Sequence, residues 1–354
     1  MAIKYKWLAD RLREQIKEYT RQGMSRLPSE QELCRRYRVS RQTVRAALSL
    51  LAEEGLIDKK RGSGSYITGL SADPSRNVIG LLVPNDQYYR YPQRINDIGS
   101  ALARAGFSHK ILSTDGRRDQ ERKILLSLLE SPLRGIIAEP VQSALPNPNV
   151  SLYRRLMDKG TEILFVDSVY PGLSQVPCVK GDDLLGAELL VEYLVQQGHT
   201  AIGGIFQMDD LCGTERYQGF LDSMQRYGLE VPDEHICWFS TQNVIKLYKN
   251  LDAAFLSEMA KSSLRSCTAV ICHNDLIAWA LTRELTLAGY RLPEDLAVAA
   301  FDATYLSSSG LVAAATLAHT PPAPDARIAR MMTDKLKGLP VRTQEIPWVL
   351  NIKR

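Results

Sequence analysis

From Val78 onward, short apolar runs alternate with amphipathic stretches, a pattern that leaves few folds open to the chain. The run Val78-Ile79-Gly80-Leu81-Leu82-Val83 is continuous, stops at Pro84 and reads as a buried strand. The pattern then predicts a helix over 93–105, a strand over 109–112, a helix over 119–130, a strand over 135–138, a helix over 152–159 and a strand over 163–166. After an irregular stretch it predicts a helix over 184–197 that stops at Gly198. It resumes with a strand over 202–206, a helix over 216–227, a strand over 269–272, a helix over 276–288 and a strand over 296–301. Repeated strand–helix units of this kind predict an α/β fold, with parallel sheet covered by helices on both faces. The body, 78–354, is long for one such unit, so two lobes with a cleft between them are expected.

The residues before this body differ in charge. Of the 354 residues, the first 70 hold 15 Lys and Arg against 8 Asp and Glu, a net of +7. The remainder holds 29 against 32, a net of −3, so the overall +4 conceals a basic head on a slightly acidic body. Such a head is expected to meet a polyanion. The stretch 69–77 is small, polar and Pro-containing and reads as a linker between a first domain, 1–68, and the body. No apolar run approaches the ~18 residues of a membrane span, and the first 19 residues lack the apolar core of a signal peptide. The six cysteines are scattered without a CxxC pair or a Cys/His cluster. That pattern predicts reduced thiols in a cytoplasmic chain, and no metal site.

Within the head, Leu8, Leu12, Ile16 and Tyr19 recur at helical spacing. Ser29 and Glu32 form a capping box that opens a second helix, expected over 30–37. Arg38-Val39-Ser40 is a tight turn, and Ser40 caps a third helix, expected over 41–54. Arg61-Gly62-Ser63-Gly64 reads as a hairpin tip between two short strands. Two short helices joined by such a turn form a helix-turn-helix, whose second helix enters the major groove. Its first residues here are Arg41, Gln42, Thr43 and Arg45, side chains able to reach guanine, adenine, phosphate or a thymine methyl. The run Leu27-Pro28-Ser29-Glu30, then Val39-Ser40-Arg41-Gln42-Thr43-Val44-Arg45, then Gly62-Ser63-Gly64-Ser65-Tyr66 resembles the GntR-type winged helix. The resemblance implies contacts with double-stranded operator DNA at Arg41, Thr43 and Arg45, and in the wing at Arg61 and Gly62.

In parallel α/β sheets, ligand groups sit just past the C-terminal ends of strands. Asn85, Tyr91, Glu139, Arg216, Asp275 and Asp302 occupy or closely follow such positions and are the candidate effector-binding residues. Carboxylates accept from vicinal hydroxyls, arginine donates, and an aromatic ring packs on the C–H face, which together read as a sugar cleft. His273-Asn274-Asp275, Gly289-Tyr290-Arg291-Leu292-Pro293, Phe301-Asp302 and the run Gly213 to Phe220 resemble the LacI/GalR-type effector domain. That resemblance implies a two-lobed periplasmic-binding-protein fold, sugar contacts at Arg216 and Asp275, and a homodimer formed through the body. A GntR-type head on such a body is similar to the arabinose repressors of Gram-positive bacteria, which implies L-arabinose as the effector.

The expected function is therefore a transcriptional repressor released from its operator by a sugar, most simply L-arabinose, with another pentose or hexose as the alternative. A sugar-acting α/β enzyme is the competing class. Against it, Pro84-Asn85-Asp86 stands where a dinucleotide fold carries GxGxxG, and there is no P-loop, GxSxG or metal triad. No catalytic residue and no cofactor is expected. A transporter's solute-binding protein would need a signal peptide and would have no use for the basic head.

Overall fold

A computed structural model describes residues 2–22, 24–60, 63–69, 77–308, 315–320 and 324–352. The head opens with α1 (Ala2–Arg21), α2 (Glu30–Tyr37) and α3 (Arg41–Glu53), followed by the hairpin β1 (Ile57–Lys60) and β2 (Gly64–Ile67). The caps form as the sequence requires: the Ser29 side chain accepts from the Glu32 amide while the Glu32 carboxylate accepts from the Ser29 amide, and Ser40 accepts from the Thr43 amide. Each such cap contributes about 1 kcal/mol. Leu8, Leu12, Leu33, Val44, Leu48, Leu51, Ile57 and Ile67 close over one another as the head's core. The hairpin is antiparallel, with Ile57 opposite Ile67 and Lys60 opposite Gly64. Arg61 and Gly62, and positions 70–76 of the expected linker, lie outside the described residues.

The body's first lobe comprises β3 (Val78–Val83), α4 (Tyr91–Arg104), β4 (Ser108–Ser113), α5 (Arg118–Glu130), β5 (Gly135–Ala138), α6 (Val150–Asp158), β6 (Glu162–Val166) and β7 (Cys178–Gly181). The second holds α7 (Asp183–Gln196), β8 (Ile202–Gln207), α8 (Leu211–Arg226), β9 (Ile236–Phe239), α9 (Thr241–Asn250) and α10 (Ala254–Lys261). It continues with β10 (Ala269–Cys272), α11 (Asp275–Leu287), β11 (Ala297–Ala300), α12 (Tyr305–Ser308) and β12 (Ala315–His319). The chain then returns to the first lobe with α13 (Pro324–Leu336) and β13 (Gln344–Ile346), and ends in the second with β14 (Trp348–Ile352).

Each lobe has a six-stranded sheet, ordered β13-β7-β6-β5-β3-β4 in the first and β14-β12-β11-β10-β8-β9 in the second. Every pairing is parallel except β12 with β14. The inner strands β3, β5, β6, β8, β10 and β11 are near-continuous apolar runs because helices cover both faces of each sheet. The first sheet is packed by Ile79, Leu81, Ile98, Leu102 and Met332 on one face and by Leu82, Leu125, Ile136, Tyr153 and Phe165 on the other. No helix among the described residues is long and apolar enough to cross a membrane.

The alternation of units holds, with adjustments. The helix expected from 216 begins at Leu211, because Gly213 lets its first turn close on the Gln207 backbone, where a Cβ would stand 2.0 Å from the carbonyl oxygen. The irregular stretch after 166 contains β7, and the region after 227 contains β9, α9 and α10.

Candidate functional site

The head presents α3 to solvent along the face the sequence singled out. Arg41, Gln42 and Arg45 are exposed and Thr43 is half-buried, while Val44, Ala47 and Leu48 point inward. Thr43 Oγ1 lies 2.9 Å from Ser40 Oγ, so the cap also orients a candidate contact residue. Arg45 Nε donates to Glu30 Oε2 at 2.9 Å. Both groups are well exposed, so the pair contributes at most about 1 kcal/mol and yields readily to a phosphate or base.

The second site lies between the lobes, where the strand register brings the strand ends of both sheets together. Leu82 pairs with Ala138, and Ala138 with Phe165, which sets Glu139 and Asp167 side by side beyond the first sheet. Ile205 pairs with Cys272, and Cys272 with Ala300, which sets Gln207, His273 and Asp302 beyond the second. The lobes are closed on each other. Tyr88 stacks on Tyr248 at 5.4 Å, Ser143 Oγ donates to Asp210 Oδ1 at 2.6 Å, and Gln142 Nε2 donates to Asp209 Oδ2 at 3.3 Å.

The loop after β3 carries the main cross-lobe contacts. The buried Tyr89 hydroxyl bridges Asp275 Oδ1 and Asp302 Oδ2. Arg90 donates to Asp302 at 3.3 Å and to Asp167 at 2.6 Å. One turn on, Arg94 donates to Asp167 at 2.6 Å, to Glu139 at 3.4 Å and to Asp325 at 3.2 Å. Cations at the start of a helix oppose its dipole, so the surrounding carboxylates are what hold Arg90 and Arg94 there. Tyr89, Asp167 and Asp302 all have left-handed backbone, at φ 60°, 63° and 88°. Such strain costs of order 1–3 kcal/mol per residue and persists where surrounding contacts impose it.

Burial and these pairings set the protonation states. Burial pushes Glu139 up to about 7, with Asp167 adding to the rise against the two arginines, and the Tyr91 hydroxyl donates to Glu139 at 2.7 Å. Burial alone would raise Asp167 and Asp302 too, but Arg90 with Arg94 in the first case, and with Arg216 in the second, outweighs it and holds both low. Burial lowers His273 far below the ordinary imidazole range, with Arg216 and Arg90 adding to the effect, so the ring is neutral. Burial pushes Tyr89 and Tyr91 well above 10, so both are neutral donors.

Tyr89 and Arg90 line two cavities. One, of about 100 Å³, is walled by Tyr91, Glu139, Gln207, Asp210, Thr241, Tyr248 and His273. The other, of about 290 Å³, is walled by Arg94, Asp302, Tyr305, His319, Asp325 and Trp348. Drug-sized ligands occupy ~300–1,000 Å³, so these spaces suit a smaller molecule. Carboxylates outnumber guanidiniums around them, which favours a neutral polyol over an anion. Among the described residues no His, Cys, Asp and Glu group could hold a metal ion.

Tyr91, Glu139 and Asp302 stand in these walls. Arg216, Asp275 and Asn85 stand behind them. Arg216 donates to Asp183 at 3.0 Å and to the His273 carbonyl, and lies 4.1 Å over the Phe301 ring. Asp275 accepts from Tyr89, from the Thr304 amide and hydroxyl, and from Ser307. The Asn85 side-chain oxygen Oδ1 accepts from the Gln87 and Tyr88 amides and shapes the loop. Arg90, Arg94 and Tyr248 escaped the sequence reading. The arginines precede or interrupt an apolar helix face, and their partners are 45 to 231 residues away.

A family model for bacterial regulatory proteins of the gntR family matches residues 4–67, and one for a periplasmic binding protein-like domain matches residues 191–351. An arabinose metabolism transcriptional repressor of Halalkalibacterium halodurans is 30% identical over 326 residues, covering 90% of this chain and 85% of that protein. One of Geobacillus stearothermophilus is 30% identical over 298 residues, covering 83% and 80%. The solved complex of the transcriptional regulator CelR with cellobiose superposes with a TM-score of 0.65 at 19% identity, covering 89% of this chain and 90% of that one. That last likeness concerns the fold.

Proposed function

The chain belongs to the family of bacterial transcriptional regulators with a GntR-type winged-helix head and a periplasmic-binding-protein-like body, and on that premise we propose that it is a repressor whose operator is released by L-arabinose. The relatives matched are regulators, which sets the enzyme reading aside. The observation that carries the sugar reading is the 30% identity to arabinose metabolism repressors across 90% of the chain, head and body together. The cleft agrees with it in kind: small cavities, an excess of acceptors, and aromatic side chains at Tyr91 and Tyr248.

In this reading Arg41, Gln42, Thr43 and Arg45 meet the major groove, and Arg61 and Gly62 meet the backbone or minor groove beside it. Tyr91, Glu139 and Asp302 contact the sugar directly. Asp275 and Arg216 hold the walls and reach it when Tyr89 withdraws. Asn85 shapes the loop that carries Tyr91. Two copies of the body pair, so that two heads read two half-sites, and the protein works in the cytoplasm where its operator is. Segments 1–68, 69–77 and 78–354 act as head, linker and sensor.

Calorimetric titration of the full chain with a panel of pentoses and hexoses tests this. Binding of L-arabinose in preference to the rest is expected. Binding of another sugar in its place would reassign the effector, and silence across the panel would overturn the sugar reading.

A further inference from the structure

The cleft connects to the head through one helix. Four contacts form an alternating chain of charges that starts in the second lobe and ends on α13. Asp302 Oδ2 accepts from Arg90 Nη1 at 3.3 Å, and Arg90 Nη2 donates to Asp167 Oδ2 at 2.6 Å. Arg94 Nη1 donates to that same oxygen at 2.6 Å, and Arg94 Nε donates to Asp325 Oδ1 at 3.2 Å. Asp325 is the second residue of α13.

α13 runs the full height of the first sheet. It starts at the cleft, beyond the C-terminal ends of the strands. It finishes where they begin: Lys335 pairs with Glu162, the first residue of β6, at 2.6 Å, and a Cβ on Gly135, the first residue of β5, would stand 2.8 Å from Met332 Sδ. Thirteen residues of helix span ~20 Å. Ile328, Met332 and Leu336 bury one face of it against the sheet and α4.

The far end meets the chain where it leaves the head. Gly69, two residues after β2, is buried against the last turn of α13, and a Cβ there would lie 2.7 Å from the Leu336 carbonyl oxygen. Its φ of +82° favours glycine. The Gly69 carbonyl accepts from Arg134 Nη2 at 2.8 Å, and among the described residues the buried Arg134 Nε has no hydrogen-bond partner. A largely buried guanidinium of the first lobe thus holds the carbonyl at which the chain leaves the head.

We propose that Arg94 and Asp325 are positioning residues that carry the state of the cleft along α13 to the Gly69–Leu336 junction, and so set how the head is held. Asp167 Oδ2 is shared by two guanidiniums, and Arg94 is shared by three carboxylates. When Asp302 moves with the second lobe, Arg90 turns more fully to Asp167, and Arg94 turns to Asp325. A helix is stiff and a close-packed core transmits displacement, so a shift at Asp325 reaches Leu336. The sugar as trigger rests on the proposed function. The mechanical link does not.

Hydrogen exchange read by mass spectrometry on the full chain, without sugar, tests the link. Asp325→Asn is expected to speed exchange in 63–69 as well as in α13, by roughly 2- to 30-fold, the range for residues on a coupling network. Asp325→Glu is expected to restore protection at both places. Exchange changes confined to 324–336 would overturn the proposal. If Asp325→Asn fails to fold, Arg134→Met serves in the reverse direction: exchange at the start of α13 is expected to rise, and an effect confined to 63–69 and 134 would overturn the link. A wild-type chain that binds no sugar, together with the remote exchange effect in Asp325→Asn, would remove the trigger and leave the link standing.

Discussion

Replacing Tyr89 by Phe removes one hydroxyl and leaves the ring, so the packing at this buried position is kept and one polar contact is deleted. That hydroxyl reaches Asp275 and Asp302 in the second lobe from a loop of the first. It is a neutral donor at any ordinary pH, because burial pushes its pKa well above 10. Asp302 keeps Arg90, and Asp275 Oδ2 keeps Thr304 and Ser307, but Asp275 Oδ1 loses the Tyr89 hydroxyl, its partner among the described residues. A hydrogen bond to a charged group contributes about 1.5–3 kcal/mol, and an unsatisfied buried acceptor costs a similar amount. The body should therefore lose about 2 kcal/mol, equivalent to roughly 4–8 °C at ~2–4 °C per kcal/mol. Scanning calorimetry reads the melt, and small-angle scattering should show a larger radius as the lobes separate. A melt within about 1 °C of wild type, with an unchanged radius, would refute the view that Tyr89 ties the lobes.

Arg45→Ala should weaken operator binding by about 1–3 kcal/mol, or about 5- to 150-fold, and relax base preference at one position. Fluorescence anisotropy on DNA selected by the protein itself reads this, and unchanged affinity would put the groove contact elsewhere. Glu139→Gln addresses pH. A carboxyl raised from 4.5 to about 7 holds its proton more tightly folded than unfolded, so its contribution is full below 4.5 and fades as pH climbs to about 7. The variant cannot ionise, so its melting advantage over wild type should be larger at pH 8 than at pH 5. An advantage equal at both pH values would contradict the raised Glu139.

The head was legible because its signals are local. Ser29 with Glu32, and Ser40 before Thr43, are caps written within four residues, and the structure forms both. The strand–helix alternation was legible for the same reason, since an apolar run followed by an amphipathic one needs no distant partner. β14 was not legible, because it is an antiparallel edge strand whose partner β12 is not its neighbour in sequence. In the cleft, positions after strands pointed to Glu139 and Asp302, which stand in the walls. Arg94 was missed because a buried arginine on an apolar helix face makes sense only once Asp167 and Asp325 are folded against it. Asp275 and Arg216 were identified by position, yet their polar atoms are taken by Tyr89, Thr304, Ser307, Asp183 and His273 in this closed arrangement.

In the proposed function, one small neutral sugar held between the lobes changes how the head grips DNA. Operator affinity measured on the full chain with and without L-arabinose tests it most directly. The sugar is expected to weaken binding by about 5- to 150-fold, the usual range of allosteric coupling. An operator affinity that stays the same with every pentose and hexose tested would contradict it.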